Sequence, residues 1–246
     1  MDILIFGISL VAAFIFALGG IGAAIILIPI MVWMGIPITT AKPVGLFYNT
    51  VSLAGASISN IKNKLLDFKT GIPIIIFSFL FAAVGAYSSK FVSQKIVLLI
   101  FIAFLVFSGF MFLFFKKKTM EKYREDQPVF KLSLIGIGAG FLSGLLGIGG
   151  GGIISPLMLM MGFNPKKIAA ITAFVVPFSA FSGFVTYWMM GAINWKLLLI
   201  VSTGGIIGAT LGTIFMQKKL NPKVVKKILA VILLLMAAKM IFIMVG

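Results

Sequence analysis

Apolar residues fall in eight long runs, near 3–35, 42–60, 70–88, 96–115, 132–162, 168–190, 197–216 and 224–245, and most of the lysines gather between them. The runs are continuous and do not alternate with polar positions. They therefore predict helices that cross a hydrocarbon core of roughly 30 Å, and they argue against the short alternating strands of a membrane barrel. Two runs, 3–35 and 132–162, are too long for one crossing, since at 1.5 Å per residue a straight helix of that length would reach about 50 Å. The second of them contains GLLGIGGGGIISP, with six glycines in nine residues from Gly144 to Gly152. Each glycine costs a helix interior close to ~1 kcal/mol relative to alanine. The cluster thus predicts a break, with limbs at 3–18 and 23–35 in the first run and at 132–146 and 153–162 in the second.

The two broken runs are copies. A shift of 127 residues aligns 14–35 with 141–162 at ten identical positions, among them Gly20/Gly147, Gly22/Gly149, Pro29/Pro156 and Gly35/Gly162, and the register continues without gaps to Gly85/Gly212. Shared apolar composition explains coincident Ile and Met but not coincident Gly and Pro. The chain divides into repeats at 1–115 and 132–246, joined by the hydrophilic segment KKKTMEKYREDQPVFK at 116–131.

Charge then separates two topologies. If each broken run crosses the membrane once, the basic residues of the loops divide evenly, ten to each face, with Lys239 apart from them. If each run folds back at its glycines as a hairpin, Lys62, Lys64, Lys69, Lys116, Lys117, Lys118, Lys122, Arg124, Lys131, Lys166, Lys167, Lys218, Lys219, Lys223, Lys226 and Lys227 share one face, while Lys42, Lys90, Lys95, Lys196 and Lys239 belong to the other. Only the second arrangement has the asymmetry that orients membrane proteins. The expectation is an all-α polytopic membrane protein of two inverted-topology repeats, each a glycine-broken hairpin plus three transmembrane helices. The linker 116–131 is expected in the cytoplasm, and both termini outside a cell (inner or plasma) membrane. The N-terminal MDILIFG has no basic region ahead of its apolar stretch and reads as the start of a first helix, not as a signal peptide.

The net charge of +16 would suggest a nucleic-acid partner in a soluble protein, but here the basic residues sit at helix ends, where they meet lipid headgroups. The partners expected are the bilayer and a small anion, with no nucleic acid, and glycine-rich faces suit a homodimer. There is no Cys and no His, which removes thiolate, imidazole and Cys/His metal chemistry, so neither a metal site, a cofactor nor an enzyme is expected. G-x-G-x-x-G at Gly147, Gly149 and Gly152 lacks the preceding strand that a dinucleotide fold requires.

Two hairpins entering from opposite faces would bring their glycine tips together near the bilayer midplane. Unpaired backbone is tolerated there only where it lines a cavity or meets a ligand, and helix N-termini favour an anion. The candidate substrate-binding residues are Gly20 and Gly22 of the first tip and Gly147, Gly149, Gly150, Gly151 and Gly152 of the second. The nearest polar side chains are Asn49, Ser52 and Ser57 in the first half and Ser155, Thr172, Ser179 and Ser182 in the second. Gly204, Gly208 and Gly212 are spaced for helix packing. Lys42 reads either as an interfacial lysine or as a vestibule cation that draws anions inward. Asp67 reads as a solvated loop carboxylate and Lys239 as a snorkelling side chain. Because no acid lies deep in any run, coupling through a buried carboxylate is not expected.

The pattern GIGGGG, Pro156, MGFNPKKIAAITAF with Thr172, and then GAINW at 191–195, resembles the TauE/SafE family of sulfite and sulfonate exporters. The first half repeats it more weakly as GGIGAAIILIP and MGIPITTAKPVG, with LLDF at 65–68 in place of AINW. The resemblance covers nearly the whole chain, and it implies a permease for sulfite, sulfonates or related small organic anions. A passive anion channel is the alternative. Two departures bear on the substrate: Gly45 stands opposite Thr172, and Ala23 and Ala24 stand opposite Gly150 and Gly151.

Overall fold

The computed structural model describes residues 2–17, 21–62, 66–114, 123–124, 126–191, 193–219 and 222–245. Gly20 and half of the 116–131 linker lie outside them. The described residues form helices α1 Asp2–Phe16, α2 Ala24–Trp33, α3 Ile38–Lys62, α4 Phe68–Ser88, α5 Gln94–Phe114, α6 Val129–Leu146, α7 Gly151–Met160, α8 Pro165–Met189, α9 Trp195–Lys219 and α10 Pro222–Val245, with no strand among them. The offset of 127 carries α2 onto α7 and α3 onto α8 residue for residue. By length and composition α4, α5, α6, α8 and α9 can each cross a membrane. α3 is as long as α8, but it carries Lys42, Asn49, Ser52 and Ser57, all of them buried.

The exterior is apolar and much of the polar material is inside, the inverse of a soluble domain. Leu199, Leu235 and Phe107 are exposed, whereas Asn49, Thr172 and Ser179 are fully buried. Lipid takes the place of water around such a surface, so helix association depends on close packing more than on the hydrophobic effect. Small residues supply that packing. Gly136, Gly140 and Gly144 of α6 face the carbonyls of Ile74, Ser78 and Ala82 of α4, and Gly204, Gly208 and Gly212 of α9 face those of Phe6, Leu10 and Phe14 of α1. A methyl group at any of these glycines would meet backbone that cannot move aside.

These contacts also fix helix directions. α6 runs parallel to α4, and α4 runs parallel to α8, since Phe68 meets Phe174 and Phe79 meets Ser182. α7 is antiparallel to α8, since Gly149 at its start lies by Val176 and Ser155 by Thr172, so α7 turns back on α6 and the pair is a helical hairpin. In the first half, α2 is antiparallel to α3, where Ala24 meets Asn49 and Ile28 meets Gly45. Equivalent helices α3 and α8 cross antiparallel: Lys42 lies by Tyr187, Phe47 by Phe184, and Ser57 by Ala173.

The turn after α7 lies at the same end of the bundle as Asp67 and Arg124. The Arg124 amide donates to the Gly162 carbonyl at 3.0 Å, and the Lys167 ammonium reaches Asp67 at 2.5 Å. Asp67 is thus no free loop carboxylate. It caps α4 by accepting from the Thr70 amide and hydroxyl, as its repeat partner Asn194 caps α9 by accepting from the Leu197 amide. Partial burial alone would raise the pKa of Asp67, but the Lys167 and Thr70 contacts outweigh it and hold the carboxyl below its usual range.

Candidate functional site

The second hairpin turns at Gly147, Ile148, Gly149 and Gly150, with α6 ending in a left-handed cap at Gly147. Gly149 has φ +81° and its neighbour Gly150 φ +69°, a backbone region that side chains other than glycine seldom adopt. Gly151 and Gly152, however, do not belong to the turn. They form the first turn of α7, a correction to the expectation that all of the consecutive glycines break the helix. Close approach explains their identity: a methyl group on Gly151 would overlap the Ile21 carbonyl of the first tip, and one on Gly152 would lie 2.7 Å from the Phe104 ring. The two tips are therefore in direct contact, and residues Ile21 to Ala24 and Gly147 to Gly152 are all buried.

Asn49 joins them. Its side-chain oxygen accepts from the Ala24 amide at the start of α2 at 3.1 Å, and its side-chain nitrogen donates to the Ile148 carbonyl in the second tip at 2.7 Å. Gly22, with φ +88°, and Gly149 both press on this amide, so that a methyl group at either would sit 2.6 Å from the Asn49 nitrogen. The repeat partner of Asn49 is Val176, whose methyl lies beside Gly149. This asymmetry matters chemically. The N-terminus of α2 is capped by a side chain from α3, whereas α7 starts from Gly150 with no side-chain cap. The Gly151 amide donates to the Gly149 carbonyl at 2.8 Å and the Ile153 amide to the Gly150 carbonyl at 3.0 Å, so the start of α7 presents the Gly152 amide and the positive end of the helix dipole.

One turn into α7, the hydroxyls of Ser155 and Thr172 lie 3.2 Å apart, buried, where the first half has Ile28 packed on Gly45. Gly22, Asn49, Gly147, Gly149, Gly150, Gly151 and Gly152 thus meet at the tips, with Ser155 and Thr172 just beyond. Ser52 is buried three residues past Asn49. The other candidates do not converge. The Ser57 hydroxyl donates to the Ala173 carbonyl at 2.6 Å, and that of Ser182 donates to the Phe79 carbonyl at 2.6 Å. Each ties one helix to another. Ser179 bonds back to the Val176 carbonyl of its own helix.

Lys42 is buried inside the bundle. It is 3% exposed, its backbone is lodged against Gly147, and its ammonium lies 5.4 Å from the centre of the Tyr187 ring. Two tyrosines that sequence reasoning passed over hold the surroundings. Tyr48 donates to the Ser9 carbonyl at 2.7 Å and Tyr187 to the Gly144 carbonyl at 3.0 Å. Their position inside apolar runs was the available signal, because a phenol in a membrane interior must find an acceptor. Lys239 is exposed and lies over Trp33, as a side chain reaching for an interface does.

A family model described as "Sulfite exporter TauE/SafE" matches residues 5–240. The chain is 25% identical over 260 residues to "Probable membrane transporter protein YunE" of Bacillus subtilis, covering 95% of each protein. It is 28% identical to "Probable membrane transporter protein MJ0441" of Methanocaldococcus jannaschii, covering 88% of this chain and 86% of the relative. Against "Sulfite exporter TauE/SafE family protein 6" of Arabidopsis thaliana the identity is 45% over 80 residues, 32% of this chain and 19% of the plant protein. No solved structure matches.

Proposed function

The chain belongs to the TauE/SafE family of membrane proteins, and from that premise we propose that it is a carrier for a small anion of the sulfite or sulfonate class, working by alternating access at the two hairpin tips. The observation that carries this reading is the meeting of Gly22, Asn49 and Gly149 to Gly151, where a helix N-terminus without a side-chain cap lies beside uncharged donors in the bundle interior. Such groups attract an anion without holding it permanently, as a carrier requires. An anion there would meet the Gly152 amide and the positive end of α7, with Ser155 and Thr172 turning their hydroxyls to it.

In this proposal the halves 1–115 and 132–246 are inverted repeats about an axis in the membrane plane. The antiparallel crossing of α3 and α8 supports it, as does the common end shared by Asp67, Arg124, Gly162 and Lys167. The lysine-rich end, with the 116–131 linker, is then cytoplasmic and the termini are outside. Rocking one repeat against the other would part the tips on one face and then on the other. A channel would need a continuous opening, and the mutual contact of the tips favours a carrier.

The test is counterflow in proteoliposomes containing the purified protein. Labelled methanesulfonate or sulfite is expected to enter saturably and to accelerate when unlabelled anion is loaded inside. Flux that never saturates and shows no trans-acceleration would mean a passive channel, and no flux would end the anion reading. In cells, a cysteine placed at Thr119 should react with impermeant thiol reagents from the cytoplasmic side only. Labelling from outside would reverse the orientation.

A further inference from the structure

Lys42 is the one charged side chain among the described residues that is fully buried. Burying a charge is costly unless an opposite charge compensates it. The chain holds five acids. Three are described, and each is committed elsewhere: Asp2 to Lys196, Asp67 to Lys167, and Asp126 to Arg124. The other two, Glu121 and Glu125, belong to the linker and lie outside the described residues. What faces the Lys42 ammonium is the ring of Tyr187, whose own hydroxyl is engaged with the Gly144 carbonyl. A ring face attracts a cation but does not neutralise it.

The position of Lys42 says what does. It precedes Asn49 by seven residues, two turns along one face of α3, or about 10 Å at the helical rise. Between them on that face is Gly45, where a methyl group would lie 3.0 Å from the Gly147 carbonyl. The face from Lys42 through Gly45 to Asn49 therefore runs along the second hairpin to the tips. Its equivalent on α8 begins at Ala169 and carries no charge. Among the described residues, then, one cation without a compensating charge stands beside the proposed anion path.

We infer that Lys42 is the internal counter-charge for the transported anion, and that this single charge makes the site select a singly charged anion, such as a sulfonate, over a divalent one. The inference rests on the carrier reading above and specifies its substrate class. A monoanion beside Lys42 gives a neutral pair. A dianion would leave one negative charge unmatched in the membrane interior, where neutral hydroxyls and amides cannot compensate for it.

Methanesulfonate and sulfate differ by a methyl group in place of a charged oxygen, so their competition isolates charge from shape. In counterflow with labelled methanesulfonate, unlabelled methanesulfonate should compete at least about tenfold better than sulfate in the wild type, the order expected for one buried charge interaction. Lys42→Arg should keep that ratio. Lys42→Met, which removes the charge without burying a new polar group, should weaken methanesulfonate and bring the ratio near one; gel filtration of the purified variant confirms that it is folded. A Lys42→Met variant that transports with the wild-type ratio overturns the inference while leaving the carrier reading intact. Sulfate competing as well as methanesulfonate in the wild type also overturns it. A wild type that moves no anion at all overturns both.

Discussion

Gly151→Ala is expected to lower transport by at least two orders of magnitude while leaving the protein folded and in the membrane. Alanine is a better helix former than glycine by about 1 kcal/mol, and Gly151 is already helical. On local grounds α7 should therefore gain. The added methyl, however, would overlap the Ile21 carbonyl and lie 2.8 Å from the Ile21 Cα, both of them backbone of the opposing tip. Neither can rotate away, so the tips must separate. Misplacement by about an ångström at a site that depends on geometry costs on the order of 10²-fold. Gly35→Ala provides the comparison. Gly35 has φ +84° but nothing within 4 Å of where a methyl would be, so the variant should lose about 1–2 kcal/mol of stability to backbone strain and keep most of its transport rate. Initial counterflow rates, normalised to the protein reconstituted, compare the two. Equal losses in both would show that tip contact has no special role.

Asn49 carries the second large effect, and two substitutions separate its roles. Asn49→Leu removes both hydrogen bonds and strands the Ala24 amide and the Ile148 carbonyl, at about 1–3 kcal/mol for each buried orphan. Stability and transport should fall together. Asn49→Asp keeps an acceptor for the Ala24 amide, loses the donor to Ile148, and places a negative charge where the anion is proposed to sit. Its melting temperature in detergent should drop less than that of the leucine variant, yet its anion flux should be at least as low. An aspartate variant that transports at the wild-type rate would remove the anion from the neighbourhood of Asn49.

Much of this arrangement was legible in the sequence because it is written twice. The offset of 127 residues relates α2 to α7 and α3 to α8 without a gap, and the glycine pair Gly22/Gly149 has positive φ in both halves. Lysine positions alone grouped residues 166–167 with 62–69, and the Asp67 to Lys167 ion pair places those segments at one end. The packing stripe Gly136, Gly140, Gly144 is equally readable from its four-residue spacing, which puts all three on the face that meets α4. Other features depend on partners distant in the chain and leave no local trace. Ser57 and Ser182 have the composition of site residues, yet their acceptors are Ala173 and Phe79, on helices from the opposite half. Asn49 was recognisable as a polar group near a tip. That it clamps both tips follows only from the position of Ile148, 99 residues away. The helical state of Gly151 and Gly152 was likewise hidden, because propensity penalises them and the approach of Ile21 and Phe104 is what requires them.

In an alternating-access carrier of this design an anion reaches the hairpin tips from each side of the membrane in turn. The native chain has no cysteine, so Ser155→Cys introduces a single thiol one turn past the uncapped start of α7. Its reaction with 2-sulfonatoethyl methanethiosulfonate, an impermeant sulfonate, can be timed in right-side-out and inside-out membrane vesicles. The thiol should react from both faces, and excess methanesulfonate should slow the reaction on both. Reaction from one face only, or reaction that methanesulfonate leaves unchanged, would contradict the account.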